Sequence, residues 1–247
     1  KAVTRWKLTL EYDGSAFSGW QRQENAPSVQ QSLEEAITAF CGEEVRTHVA
    51  GRTDAGVHAL AQVAHADITK QTTAETVRDA LNYYLRNLAV GILKVEEVSE
   101  DFHARFSARA RHYLYRILCR HSPPVLEKNR VLHVSAPLDV AAMQKAAALL
   151  PGQHDFSTFR AQNCQSNSPI KTLDSARIEA QGSELHFSFS ARSFLYHQVR
   201  NMVGSLLLVG KGRWSVDDFQ RAFAAHDRTQ GGPTAAPDGL YFHHVDY

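Results

Sequence analysis

The residues best suited to chemistry lie in one short stretch, Ala50-Gly51-Arg52-Thr53-Asp54-Ala55-Gly56-Val57-His58. Its glycines allow tight turns and close approach by a ligand. Asp54, two places before Gly56, is also ordinary turn chemistry, so the loop alone decides little. A second stretch shifts the balance. Phe194-Leu195-Tyr196-His197-Gln198-Val199-Arg200-Asn201-Met202-Val203-Gly204 carries Arg200 among mainly apolar neighbours. A buried guanidinium without a carboxylate is very costly, and a cation beside an aspartate keeps it ionised. An ionised, oriented carboxylate can act as nucleophile or base. The loop holds a single carboxylate, whereas glycoside hydrolysis usually takes a pair roughly 5–10 Å apart. That argues against ordinary hydrolysis, although a second carboxylate could be brought in by the fold.

These side chains need a scaffold, and hydrophobic periodicity outlines one. Residues 6–12 alternate apolar and polar, as a half-buried strand does, and end at the turn signal Asp13-Gly14. Val29, Leu33, Ile37 and Phe40 follow at helical spacing, with Ser28 as N-cap, Gln31 three residues on, and Gly42 as stop. Strands are expected near 45–49 and 58–67, on either side of the Asp54 loop. A second helix covers about 73–88 with Val77, Leu81, Tyr84 and Leu85 at its apolar spacing, and a strand at 90–98 closes this half. The order is β-α-β-β-α-β. In outline the second half repeats it: an aromatic-rich strand at 108–119, an Ala-rich helix at 140–150, a hairpin of 171–180 and 185–191 across Gln181-Gly182-Ser183, a helix at 194–209, an extra helix near 216–225 and a final strand at 239–246. The expected fold is α+β. Two tandem ferredoxin-like or RRM-like units, residues 1–104 and 105–247, join their sheets into one continuous, mainly antiparallel sheet with helices on one side.

Charge is divided between the halves. Over 247 residues the net charge is +1, but residues 1–101 carry 10 Lys and Arg against 15 Asp and Glu, a net of −5. Residues 102–247 carry 17 against 11, a net of +6. Such asymmetry points to a polyanionic partner on one face. Residues 102–126, 156–173 and 185–216 contain no acid at all. In a strand, Arg109, Arg111, Tyr113 and Tyr115 fall on one face. A cationic, aromatic sheet face suits a phosphate backbone with an unstacked base, so the expected partner is RNA, held in a central cleft. Arg-rich strands are also often merely solvated and paired with nearby acids. A hydrophobic fraction of 43% suits a sizeable core and argues against disorder. No apolar run approaches the roughly 20 residues of a membrane span. The first six residues lack the apolar stretch of a secretory leader and a starting Met. Cys41, Cys119 and Cys164 are odd in number and far apart, which fits free thiols in a reducing cytoplasm. Among thirteen histidines, His243-His244 with His58, His65 or His197 could suggest zinc, but no Cys/His pair has structural-zinc spacing, and no metal is expected.

Taken together, the motifs have a family likeness. Gly-Arg-Thr-Asp-Ala-Gly-Val-His resembles the catalytic motif of the tRNA pseudouridine synthase A (TruA) family. So do Tyr12-Asp13-Gly14 with Phe17-Ser18-Gly19-Trp20-Gln21, the run from Phe106 to Tyr115, Gly152-Gln153-His154-Asp155-Phe156, Phe194-Leu195 with His197 and Val199-Arg200, and Gly239-Leu240-Tyr241. They occur in the family's order across nearly the whole chain. One departure is His112, where Arg is common; it falls on the strand face opposite Tyr113. The resemblance implies isomerisation of uridine to pseudouridine at positions 38, 39 and 40 of tRNA, in the anticodon stem-loop, without cofactor or metal. It implies that Asp54 is the catalytic aspartate and Arg200 its ion-pair partner. Tyr113 would stack on the uracil, with Leu240 on the other side, and Arg52 would fill the space left by the flipped nucleotide. It also implies a homodimer bridged by tRNA. The rival readings are a non-catalytic tandem RRM-like RNA-binding protein, which would not need Asp54, and a nucleoside hydrolase or glycosylase, which would release free base.

Overall fold

A computed structural model describes residues 2–247. Along the chain run β1 (Thr4–Tyr12), α1 (Val29–Cys41), β2 (His48–Val49), β3 (His58–Ile68), α2 (Ala74–Leu85), β4 (Val90–Val98), β5 (Ala110–Cys119), β6 (Leu132–Val134), α3 (Val140–Ala147), β7 (Gly152–Asp155), β8 (Ile170–Gln181), β9 (Glu184–Ala191), α4 (Gln198–Gly210), α5 (Val216–Ala224) and β10 (Leu240–Asp246). The architecture is mixed α+β with mainly antiparallel strands, as the periodicity predicts. Two compact units divide the chain: one takes the residues up to Arg111 together with Tyr241–Tyr247, the other takes His112–Leu240.

In the first unit the strand order is β4-β1-β3-β10, with β2 also on β3. Trp6, Leu8, Leu10 and Tyr12 of β1 are buried, the period of two expected of a half-buried strand. β1 covers one edge of β3 along most of its length. The other edge is shared: β2 pairs antiparallel at His65 and Ala64, and β10 pairs parallel at His58 and Ala59. The chain leaves β2 at the middle of β3 and must return to its start, so residues 50–57 form a loop at this edge. The helix α1 follows from its signals. Ser28 Oγ accepts the Gln31 N–H, Gly42 takes the left-handed conformation at the C-cap, and Val29, Leu33 and Ile37 are buried. α2 packs on β4 and α1 through Val77, Leu81 and Leu85. Tyr84, expected on the same apolar face, is exposed instead.

In the second unit β5, β9, β8 and β7 lie side by side, with β6 parallel to β5. Gly182 turns the β8–β9 hairpin, with Gln181 opposite Glu184. β6 and β7 have three and four residues, too short for periodicity to reveal. α4 is buried except at Arg200 and Leu208. It begins at Gln198, four residues later than the apolar spacing suggests, because His197 sits at φ 62° and a left-handed residue cannot extend a right-handed helix. Stacked aromatics, Phe156 on Phe223 and Phe159 on Phe219, fill the space between the helices.

Candidate active site

The backbone of the loop 50–57 is tied down at five of its eight residues. Ala50 N–H donates to Val63 O, and Ala50 O accepts from Arg111 Nε at 2.8 Å. Gly51 O accepts from Gln62 Nε2 at 2.8 Å. Thr53 O accepts the Trp20 N–H, and Asp54 O accepts the Val57 N–H, each at 3.0 Å. Side chains add a buried network. Tyr12 OH and Thr53 Oγ1 are 2.7 Å apart, and Gln62 Nε2 donates to Tyr12 OH at 3.3 Å. The phenol oxygen thus accepts from Gln62 and shares a second hydrogen bond with the Thr53 hydroxyl. Burial pushes the Tyr12 phenol up to about 12, so the hydroxyl stays protonated throughout the neutral range. Gly14 closes the floor: a Cβ there would lie 1.9 Å from Val57 O, so only glycine fits. On this rigid base Arg52 is exposed and Asp54 is half-buried.

His58, directly after the loop, is buried. Its Nδ1 accepts the Gly14 N–H at 2.9 Å, and its ring packs 4.8 Å from that of Tyr241. His65 Nδ1 accepts the Ala104 N–H, and His243 and His244 hydrogen-bond each other through their Nδ1 atoms. Four of the histidines considered as zinc ligands thus do hydrogen-bonding work.

The other site residues from the sequence belong to the second unit. Arg200 is half-buried on the first turn of α4. Its Nε donates to Ala235 O at 2.7 Å, its own carbonyl accepts the Ala235 N–H at 3.0 Å, and its Nη1 lies 3.4 Å from His197 Nε2. The segment that supplies Ala235 is strapped to the helix. Gly232 N–H donates to Ser205 Oγ, and Asn201 Oδ1 accepts from Thr234 Oγ1 and Arg228 Nη2. A Cβ on Gly204 would meet Pro233 O at 1.6 Å. Strap and helix together set the guanidinium's orientation. Tyr113 is half-buried, its ring edge-on to Phe194 at 5.0 Å. Leu240 is buried.

The expected basic face is only partly open. Arg109 is exposed, and its N–H donates to Asp246 O at 2.8 Å. Arg111 is half-buried and bridges two carbonyls, Ala50 O and Arg105 O, so it braces the loop in addition to carrying charge. Tyr115 does not lie on an open face. It is fully buried, and its hydroxyl donates to Ala236 O at 2.7 Å, because residues 235–239 cover that stretch of β5. Arg116 is matched by Glu184 and Glu127, each at 2.8 Å. The ordinary reading of an Arg-rich strand holds there. Missing from the sequence reading are Gln62 and Trp20 as braces and the strap over α4. Only Trp20 had a signal, since it stood within one of the recognised motifs.

Comparison with known proteins gives one consistent result. A family model described as tRNA pseudouridine synthase matches residues 9–107 and 146–247. The chain is 58% identical to the tRNA pseudouridine synthase A of Rhodospirillum centenum, over 97% of this chain and 98% of that protein. It is 54% identical to the proteins of that name from Rhodospirillum rubrum, over 99% and 88%, and Maricaulis maris, over 99% and 98%. Among the described residues no helix is long and apolar enough to cross a membrane.

Proposed function

As the chain belongs to the tRNA pseudouridine synthase family, an isomerase family, we propose that it converts uridine to pseudouridine at positions 38, 39 and 40 of the tRNA anticodon stem-loop. The observation that carries this reading is near full-length similarity to relatives bearing one activity. The braced loop supports it, because its well-held backbone carries one carboxylate, Asp54, within the family's catalytic motif. The reaction breaks the N1–C1′ bond, turns the uracil and joins C5 to C1′, while the C5 proton is lost and N1 gains one. Atoms and electrons balance without a co-reactant.

In this proposal Asp54 is the catalytic group and Arg200 the cation that keeps it ionised and oriented. The bonding of Arg200 to Ala235 and His197 supports a fixed guanidinium. Tyr113 stacks on the extruded uracil and Leu240 forms the opposite wall, which keeps the detached ring from escaping. Arg52, exposed on the rigid loop, occupies the space the nucleotide leaves. Extrusion costs a few kcal/mol, offset by stacking and by the arginine. The protein acts in the cytoplasm as a homodimer, with tRNA bridging the two copies. To test the proposal, the protein is incubated with unmodified tRNA and pseudouridine is mapped. Conversion at uridines 38–40 is expected. Unchanged uridines there would overturn the assignment, and release of free uracil would replace it with hydrolysis.

A further inference from the structure

A turn beside the Asp54 loop is built with a precision that the proposed chemistry leaves unused. In residues 102–107, His103 Nδ1 accepts the N–H groups of both Arg105 and Phe106, at 3.1 and 3.2 Å. His103 N–H donates to Ser107 Oγ, and Ser107 N–H donates to His103 O, both at 2.9 Å. Ala104 N–H donates to His65 Nδ1, and Ala104 O accepts from Tyr247 OH. Phe102 O accepts from Arg5, and Arg105 O accepts from Arg111. The turn is therefore rigid, yet it presents a phenyl ring to water: Phe106 is 72% exposed. One side of that ring is backed by His103, 4.4 Å away and tilted 30°, and the Arg105 guanidinium lies 5.4 Å from its centre. Behind His103 the imidazole of His65 stands edge-on at 4.7 Å and that of His48 lies tilted at 5.2 Å, so the three rings form a cluster. Arg111 joins the turn to the loop, since it bonds Arg105 O and Ala50 O at once.

We infer that Phe106 and Arg105 form an accessory RNA subsite, in which Phe106 stacks on an unpaired base of the bound tRNA and Arg105 meets a neighbouring phosphate. The inference rests on the tRNA reading and extends it to residues with no part in the isomerisation. An exposed aromatic beside an arginine is the pairing that single-stranded nucleic acid uses, because every base has a π-face and every linkage a charge. The surrounding sequence is complementary to a polyanion: no acid occurs between residues 102 and 126, and Arg109 is also exposed. A ring held by a fully bonded turn gives up little entropy on binding.

The test compares wild-type full-length protein with Phe106→Ala, Phe106→Tyr and Arg105→Ala. For each, tRNA affinity is measured against salt concentration, pseudouridine formation on the same tRNA, melting temperature, and solution mass by light scattering. Phe106→Ala is expected to bind at least about 5-fold more weakly with an unchanged salt slope, and Phe106→Tyr to bind as wild type does. Arg105→Ala should reduce the salt slope by about 1. Wild-type affinity in Phe106→Ala, or equal losses in the Ala and Tyr variants, would overturn the subsite. So would a change of solution mass in Phe106→Ala, which would make the turn a protein contact. In these cases wild-type protein still modifies tRNA; a wild type that neither binds nor modifies it would overturn the tRNA reading as well.

Discussion

Tyr12 shows how far the bracing of the Asp54 loop reaches beyond the loop itself. Its hydroxyl accepts from Gln62 Nε2 and shares a hydrogen bond with Thr53 Oγ1, on the residue before Asp54. Tyr12→Phe keeps the ring but leaves buried Thr53 and Gln62 groups without that partner, which costs about 1–3 kcal/mol. A lower melting temperature is expected, with kcat reduced more than KM because Asp54 is less well held. Unchanged kcat would mean the hydroxyl only stabilises the fold. His65 supplies a pH dependence. Burial first, then the nearby Arg5, His48 and His103, depress its imidazole from the ordinary 6.5 to about 4. The unfolded chain therefore binds the extra proton at higher pH than the folded protein does. Stability is full above pH 6.5 and falls between 6.5 and 4, by up to about 3 kcal/mol for this group. Denaturant melts across that range should show a shallower slope in His65→Asn than in wild type; identical slopes would contradict the assignment. The loop that carries Asp54 was legible as a connection between two strands, because glycines mark it and strand patterns flank it. Gln62 was not, since a polar residue inside an apolar strand looks the same whether it braces a loop 11 residues away or faces water.

Elements with caps and a single period could be read closely. α1 is the clearest case, its ends set by Ser28 and Gly42. Where one apolar run crosses a backbone reversal, the pattern misleads. Phe194, Leu195 and Val199 share a helical spacing, yet the reversal at His197 separates them, and this is what puts Arg200 on the first turn of α4. The strap of residues 232–235 left no trace in periodicity, because its contacts are backbone atoms against Ser205 and Gly204 and one polar hydroxyl, that of Thr234, on Asn201. Gly204→Ala tests the strap directly. The added methyl would sit on Pro233 O and force the segment away, which overpacks the helix by about 1–3 kcal/mol and releases Ala235 O from Arg200. Reduced stability together with reduced pseudouridine formation is expected. Activity retained at temperatures where the variant is folded would show that the strap does not serve Arg200.

For the whole molecule, the net charge of +1 hides tallies of −5 and +6 over its two stretches of sequence. The structure refines that division. Some of the basic stretch is neutralised internally, as Arg116 is by Glu184 and Glu127, and some braces backbone, as Arg111 does. Arg109 and Arg105 remain exposed. Arg109→Ala should weaken tRNA binding and lower the salt slope by about 1, with little change in melting temperature. An unchanged slope would exclude a phosphate contact there. In the proposed reaction Asp54 performs the isomerisation. The most direct test of that role is pseudouridine formation by Asp54→Asn on unmodified tRNA, with binding of the same tRNA recorded in parallel. Binding within a few-fold of wild type and product formation reduced by roughly 10³-fold or more is the expected result; pseudouridine formed at the wild-type rate would contradict it.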